Sequence, residues 1–165
     1  MSFARLIATF FGAGLLRPAP GTWGTLAALP AAWVIATLGG FPVFVLATLA
    51  VCGIGWWATA QATRGMADPD PSEIVIDEVA GMWITLLPVI YGAWSRDMAL
   101  LALWPGWVVG FLAFRAFDIT KLGPIGWADR MHTPLGVMLD DVIAGVFAAL
   151  VVTVAAGIAH GIIMA

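Results

Sequence analysis

Two short segments place paired acids a few residues before a glycine: Ile76-Asp77-Glu78-Val79-Ala80-Gly81 and Leu139-Asp140-Asp141-Val142-Ile143-Ala144-Gly145. Each pair stands before an apolar run, with its glycine about one helical turn further along. A carboxylate in the first turn of a helix gains about 0.3–1 kcal/mol from the helix dipole, which accounts for one acid of each pair. It does not account for two, because adjacent helical positions point about 100° apart and only one can face the helix end. Four carboxylates gathered by helix packing repel one another unless a cation neutralises them. Oxygen donors without Cys or paired His suit a hard ion, Mg2+ first and Mn2+ or Ca2+ as alternatives. Asp77, Glu78, Asp140 and Asp141 are therefore read as metal ligands, with capping and solvated charge as the competing reading.

Between the pairs lies FRAFDITKLGPIGWADR, residues 114–130. Arg115, Asp118 and Lys121 are three apart, which puts them along one face of a continuing helix. In isolation that is a surface ion-pair ladder worth under about 1 kcal/mol. Beside an acidic metal site, Arg115, Lys121 and Arg130 supply donors for the oxygens of a phosphate. Asp129 is a further carboxylate, and Pro124 and Gly126 mark a turn. A second candidate is PAPGTWGT, residues 18–25, where Gly21, Thr22, Gly24 and Thr25 precede an apolar run. Such a helix start offers free N–H groups to an anion, or is an ordinary capped start.

The elements that must position these groups are membrane helices. The chain has 165 residues, 62% hydrophobic and 10% charged, with a mean hydropathy of +1.00. Soluble domains are roughly half apolar. Apolar runs fall at 26–38, 43–62, 79–94, 98–114 and 142–163, against the roughly 20 residues needed to cross a bilayer core. The expected fold is all-α, one domain over residues 1–165, a polytopic membrane bundle of about five helices. The first is short or re-entrant unless it extends to Thr22 and Gly40. Unpaired strands are excluded in lipid, and barrel alternation is absent. A net charge of −3 gives no basic footprint for nucleic acid. The lone Cys52 completes neither a disulfide nor a cysteine metal site. The N-terminal apolar segment lacks a convincing cleavage site and is expected to stay in the mature chain.

Five crossings put Arg5, Arg17, Arg64, Arg115, Lys121 and Arg130 on one side and Arg96 alone on the other. The positive-inside rule makes the first side cytoplasmic. The same alternation gathers every acid except Asp97 on that side. Pairs of small residues at Gly106–Gly110 and Gly157–Gly161 suit packing within the bundle or between protomers of a homo-oligomer. His160 reads as interfacial.

Four segments, GAGLLRPAPGTWGTL, DPSEIVIDEVAGMWI, FRAFDITKLGPIGWADR and GVMLDDVIAG, lie in the same order as in a known family. On them the chain resembles the phosphatidylglycerophosphatase A family, bacterial membrane enzymes that remove the terminal phosphate of phosphatidylglycerophosphate to give phosphatidylglycerol. The resemblance implies a Mg2+-dependent lipid phosphatase of phospholipid biosynthesis, in the bacterial inner membrane. It carries over to Asp70, Asp77, Glu78, Arg115, Asp118, Lys121, Asp129, Asp140 and Asp141. The family has a proline directly after the lysine, where this chain has Leu122 and keeps Pro124.

On this reading Asp77, Glu78, Asp140, Asp141 and Asp70 hold one or two Mg2+ ions, and Arg115, Lys121 and Arg130 clamp the phosphate. Asp118 or Asp129 acts as general base or as covalent nucleophile. The active site faces the cytoplasm, and the lipid tails stay in the bilayer. The Asp-x-Asp in ADPDPS, residues 67–72, does not follow the buried strand that a haloacid dehalogenase site requires. The alternative of a different class is an acidic-cluster cation or proton carrier.

Overall fold

The computed structural model describes residues 2–66, 68 and 70–164, with side chains through residue 159. Ala67 and Pro69 of the Asp-x-Asp segment and the His160 side chain lie outside the described residues. Helix α1 (Phe3–Ala8) is followed by a 3-10 turn and by α2 (Pro20–Ala62), α3 (Ile76–Ser95), α4 (Trp104–Thr120), α5 (Pro124–Asp129) and α6 (Pro134–Met164). No strand occurs among the described residues. Prolines start α2, α5 and α6, where the missing N–H lacks a partner in any case.

Helix α2 is 43 residues long and would reach roughly 65 Å if straight, about twice a bilayer core. It is folded back instead. Gly40 takes φ 69° and ψ −173°, a conformation that glycine alone adopts readily, and Pro42 then falls in the first turn of the second arm, where proline is tolerated. The contacts along α3 show the reversal. Gly21 and Gly24 of the first arm lie against Glu78 and Val75 at the head of α3, Gly40 lies against Trp94 at its tail, and Gly55 of the second arm is back against Ile76.

Among the described residues four helices are long and apolar enough to cross a membrane, and the hairpin in α2 turns them into five segments of bilayer length. The first arm, residues 20–39, is full length, neither short nor re-entrant. The expected run at 98–114 is displaced: residues 100–103 form a 3-10 turn, and α4 continues to Thr120.

Helix α3 is the centre, flanked by both arms of α2 and by α4 and α6. Val79, Met82, Leu86 and Ile90 are fully enclosed with Phe44 and Phe114. The outward faces are apolar, with Leu38, Leu46, Leu49, Leu112, Leu150 and Val154 all exposed, as lipid-facing surfaces require. Gly106 and Gly110 pack α4 onto Val89 and Thr85 of α3, so this small-residue seam works within the bundle.

The closest approach is between α3 and α6. A Cβ on Gly145 would stand 2.4 Å from the Gly81 carbonyl oxygen, and one on Gly81 would stand 2.6 Å from the Asp141 carbonyl oxygen. Thr85 Oγ1 locks the crossing by donating to the Gly81 carbonyl at 2.9 Å and the Gly145 carbonyl at 3.3 Å. The obstructing atoms are backbone, so the helices themselves must part to admit a methyl group. Gly145→Ala is expected to destabilise the bundle by about 1–3 kcal/mol, read as a lower melting temperature in detergent. Gly157→Ala, whose Cβ would meet nothing within 4 Å, should leave it unchanged.

Candidate active site

The glycine crossing brings together the first turn of α3 and the interior of α6. Asp77 and Glu78 occupy the first turn of α3, whose N-cap residue Val75 offers no side-chain cap. The second pair is placed differently from expectation. Helix α6 begins at Pro134, so Asp140 and Asp141 stand roughly two turns inside it rather than at its head. The dipole reading therefore fails for this pair, since the favourable field is confined to the first turn. Both carboxylates are nonetheless almost fully buried.

One ligand oxygen from each of Asp77, Glu78 and Asp141 lies within 4.8 Å of the others. Asp77 Oδ1, Glu78 Oε2 and Asp141 Oδ1 are enclosed without a hydrogen-bond partner among the described residues. Leaving an ionised oxygen unpaired in a buried site costs several kcal/mol, so the cluster fits a cation. Its all-oxygen donor set suits a hard divalent ion such as Mg2+. Asp140 points elsewhere: it accepts from Lys121 Nζ, while its Oδ1 accepts from its neighbour's backbone N–H at 2.9 Å.

Two cations run along the other wall. Arg115 lies 4.0 Å from Glu78 and is paired with Asp118, one helical turn on. Lys121 is the left-handed C-cap of α4; it reaches Asp118 at 3.4 Å and Asp129 at 3.6 Å as well as Asp140. Burial pulls the Lys121 ammonium down, but the facing carboxylates of Asp141, Asp140 and Asp118 outweigh it and hold the pKa above its ordinary value. It is charged at any working pH.

These groups line a cavity of about 370 Å³ together with Ala19, Pro20, Gly21, Thr22, Asp70 and Ser72. Six carboxylates therefore face two cations. The start of α2 has no side-chain cap, so the Gly21 and Thr22 N–H groups at that end have no intrahelical acceptor. A Cβ on Gly21 would stand 2.2 Å from Glu78 Oε1 and 3.3 Å from Arg115 Nη1; only glycine lets these side chains meet over the helix start.

The family model for phosphatidylglycerophosphatase A matches residues 6–156. The chain belongs to the phosphatidylglycerophosphatase A family. A relative of that name from Escherichia coli (strain K12) is 38% identical, covering 87% of this chain and 78% of its own. One from Haemophilus influenzae is 35% identical over 89% and 85%. A protein from Bacteroides thetaiotaomicron named putative phosphatidylinositol-3-phosphatase is 35% identical over 91% of both chains. No solved structure matches.

For this family member, the structure brings together Asp77, Glu78 and Asp141, sets Asp140 and Asp118 on Lys121, and puts Asp70 on the cavity wall. Asp129 touches Lys121 but does not line the cavity, and Arg130 is exposed outside it with its guanidinium over Gly126. Ser72 and Ile119 line the cavity and were not expected from sequence. The position of Ile119 four residues after Arg115 is a signal that could have found it; Ser72 carried none beyond its closeness to Asp70. The loop carrying Asp70 and Ser72 is pinned by the Arg5–Glu73 ion pair at 2.6 Å and by the Val75 N–H donating to the Ala8 carbonyl at 2.9 Å.

Lys121→Met strands the buried Asp140 carboxylate and is expected to cost about 1–3 kcal/mol. Adding Asp140→Asn should recover much of that loss. Melting temperatures of the single and double variants check this coupling; equal losses in both would contradict it.

Proposed function

We propose that this protein is a Mg2+-dependent phosphatase that removes the terminal phosphate of phosphatidylglycerophosphate to give phosphatidylglycerol. The three buried, unpartnered carboxylate oxygens of Asp77, Glu78 and Asp141 carry this reading, because they call for a divalent ion in a cavity that also offers cations to an anion. The names of its Escherichia coli and Haemophilus influenzae relatives supply the substrate.

Charge bookkeeping supports the metal. A phosphate monoester brings about two negative charges into a cavity where carboxylates already outnumber cations, so Arg115 and Lys121 alone cannot balance it. A divalent ion held by Asp77, Glu78 and Asp141 supplies a Lewis acid for the phosphoryl oxygens and acidifies a bound water. Arg115 offers a planar fork to the phosphate and Lys121 a point charge, and the free N–H groups at the start of α2 add donors. Both Asp118 oxygens are engaged, Oδ2 by Arg115 and Oδ1 by Lys121. That pairing makes Asp118 the group that orients the two cations. Asp140 holds Lys121 in the same way.

The excess of basic residues on the side that carries the site supports a location at the cytoplasmic face of the bacterial inner membrane. The Bacteroides relative's name points to a different lipid phosphate, a phosphatidylinositol 3-phosphate, which presents the same monoester chemistry and serves as the comparison substrate.

Purified protein is expected to release phosphate from phosphatidylglycerophosphate in mixed micelles, to stop with EDTA and to resume with Mg2+. Asp77→Asn and Asp141→Asn should each lower the rate about a hundredfold or more. Full activity in both variants would overturn the metal-ligand assignment. Faster release from the inositol lipid would reassign the substrate, and ion flux in vesicles without phosphate release would support the carrier alternative.

A further inference from the structure

The walls of the cavity are unequal. Helices α3 and α6 form its back and pack closely on each other. The start of α2 and the end of α4 form its lips, and α4 packs against α3 and α6 while hardly meeting α2. Arg115 reaches across from α4 toward the start of α2, where a Cβ on Gly21 would stand 3.3 Å from its Nη1. One turn beyond Arg115, Ile119 both lines the cavity and is 68% exposed on the outer surface. An apolar side chain that belongs to a charged cavity and to the exterior at once marks an opening.

The face of α4 below that opening is also informative. Val108, Leu112, Arg115 and Ile119 recur at intervals of three or four residues and share one helical face. The two lower residues are exposed and apolar, while Arg115 is nearly enclosed within the site. The face is thus an apolar track headed by a cation, and its chemistry complements a phospholipid, with acyl chain on the track and phosphate at the head. A soluble phosphate ester gains nothing from such a track.

Resting on the phosphatase reading above, we propose that the lipid substrate enters sideways from the bilayer between the start of α2 and the end of α4. Its acyl chain follows the Val108–Leu112 face, and Ile119 meets the start of that chain as a positioning residue for diacyl substrates.

The test compares phosphatidylglycerophosphate in vesicles with its water-soluble deacylated headgroup. Ile119→Trp fills the opening and should lower kcat/KM for the diacyl lipid about tenfold or more, mainly through KM. Release from the soluble headgroup should stay within about threefold of the unaltered protein. Leu150→Trp, on the exposed face of α6, is the control that changes neither. Equal losses on both substrates, or no loss on the lipid, would overturn the proposal.

Absence of phosphate release from both substrates by the unaltered protein would instead remove the phosphatase reading. The opening is then read without turnover, from a bimane label on Ile119→Cys in a Cys52→Ser background. Quenching by phospholipids with a doxyl group near the start of the acyl chain supports lateral access; quenching by aqueous iodide alone overturns it.

Discussion

Buried like charges are the constraint around which this protein is arranged. Asp77, Glu78 and Asp141 are held close enough to share one ion, although in an apolar bundle their repulsion would drive them apart. What holds them is backbone contact between α3 and α6 at Gly81 and Gly145. With no side chain between the two helices, close packing and the Thr85 hydrogen bonds set the separation of the carboxylates, which have no freedom to relax it. On the proposed function, repulsion that packing does not allow to dissipate becomes affinity for a cation.

The remaining charges divide the cavity into two zones. Near α3 each carboxylate of the cluster leaves one buried oxygen without a partner, and near the end of α4 each acid is matched to Arg115 or Lys121. Loop and helix ends supply the rest: the left-handed C-cap at Lys121 turns its ammonium back over the site, and the bare start of α2 supplies N–H groups. On the proposed function, metal binding and phosphate binding therefore come from different helices, adjoining across a gap of about 4 Å between Glu78 and Arg115.

Much of this was legible in the sequence because charge is costly in so apolar a chain. The acidic pairs, Arg115, Asp118 and Lys121 stand out for that reason, and the five apolar runs match the five bilayer-length segments. The break at Gly39-Gly40 separated the first two runs correctly, since a glycine followed two residues later by proline disfavours a continuous helix. What was not legible is rotational. Asp140 and Asp141 are neighbours, and only the seating of Gly145 on Gly81 turns Asp141 toward α3 and leaves Asp140 for Lys121. The start of α6 at Pro134 was hidden because the preceding residues are mixed in polarity. Arg130 carried the right charge in the right segment, but α5 seats Gly126 under the Lys121 carbonyl and leaves Arg130 outside.

Divalent-ion binding tests the central claim without relying on turnover. Electron paramagnetic resonance titration of the detergent-purified protein with Mn2+ should show tight binding that Mg2+ displaces, weakened about tenfold or more in each of Asp77→Asn, Glu78→Gln and Asp141→Asn. Binding of the same strength in the unaltered protein and all three variants would contradict a shared ion among these carboxylates.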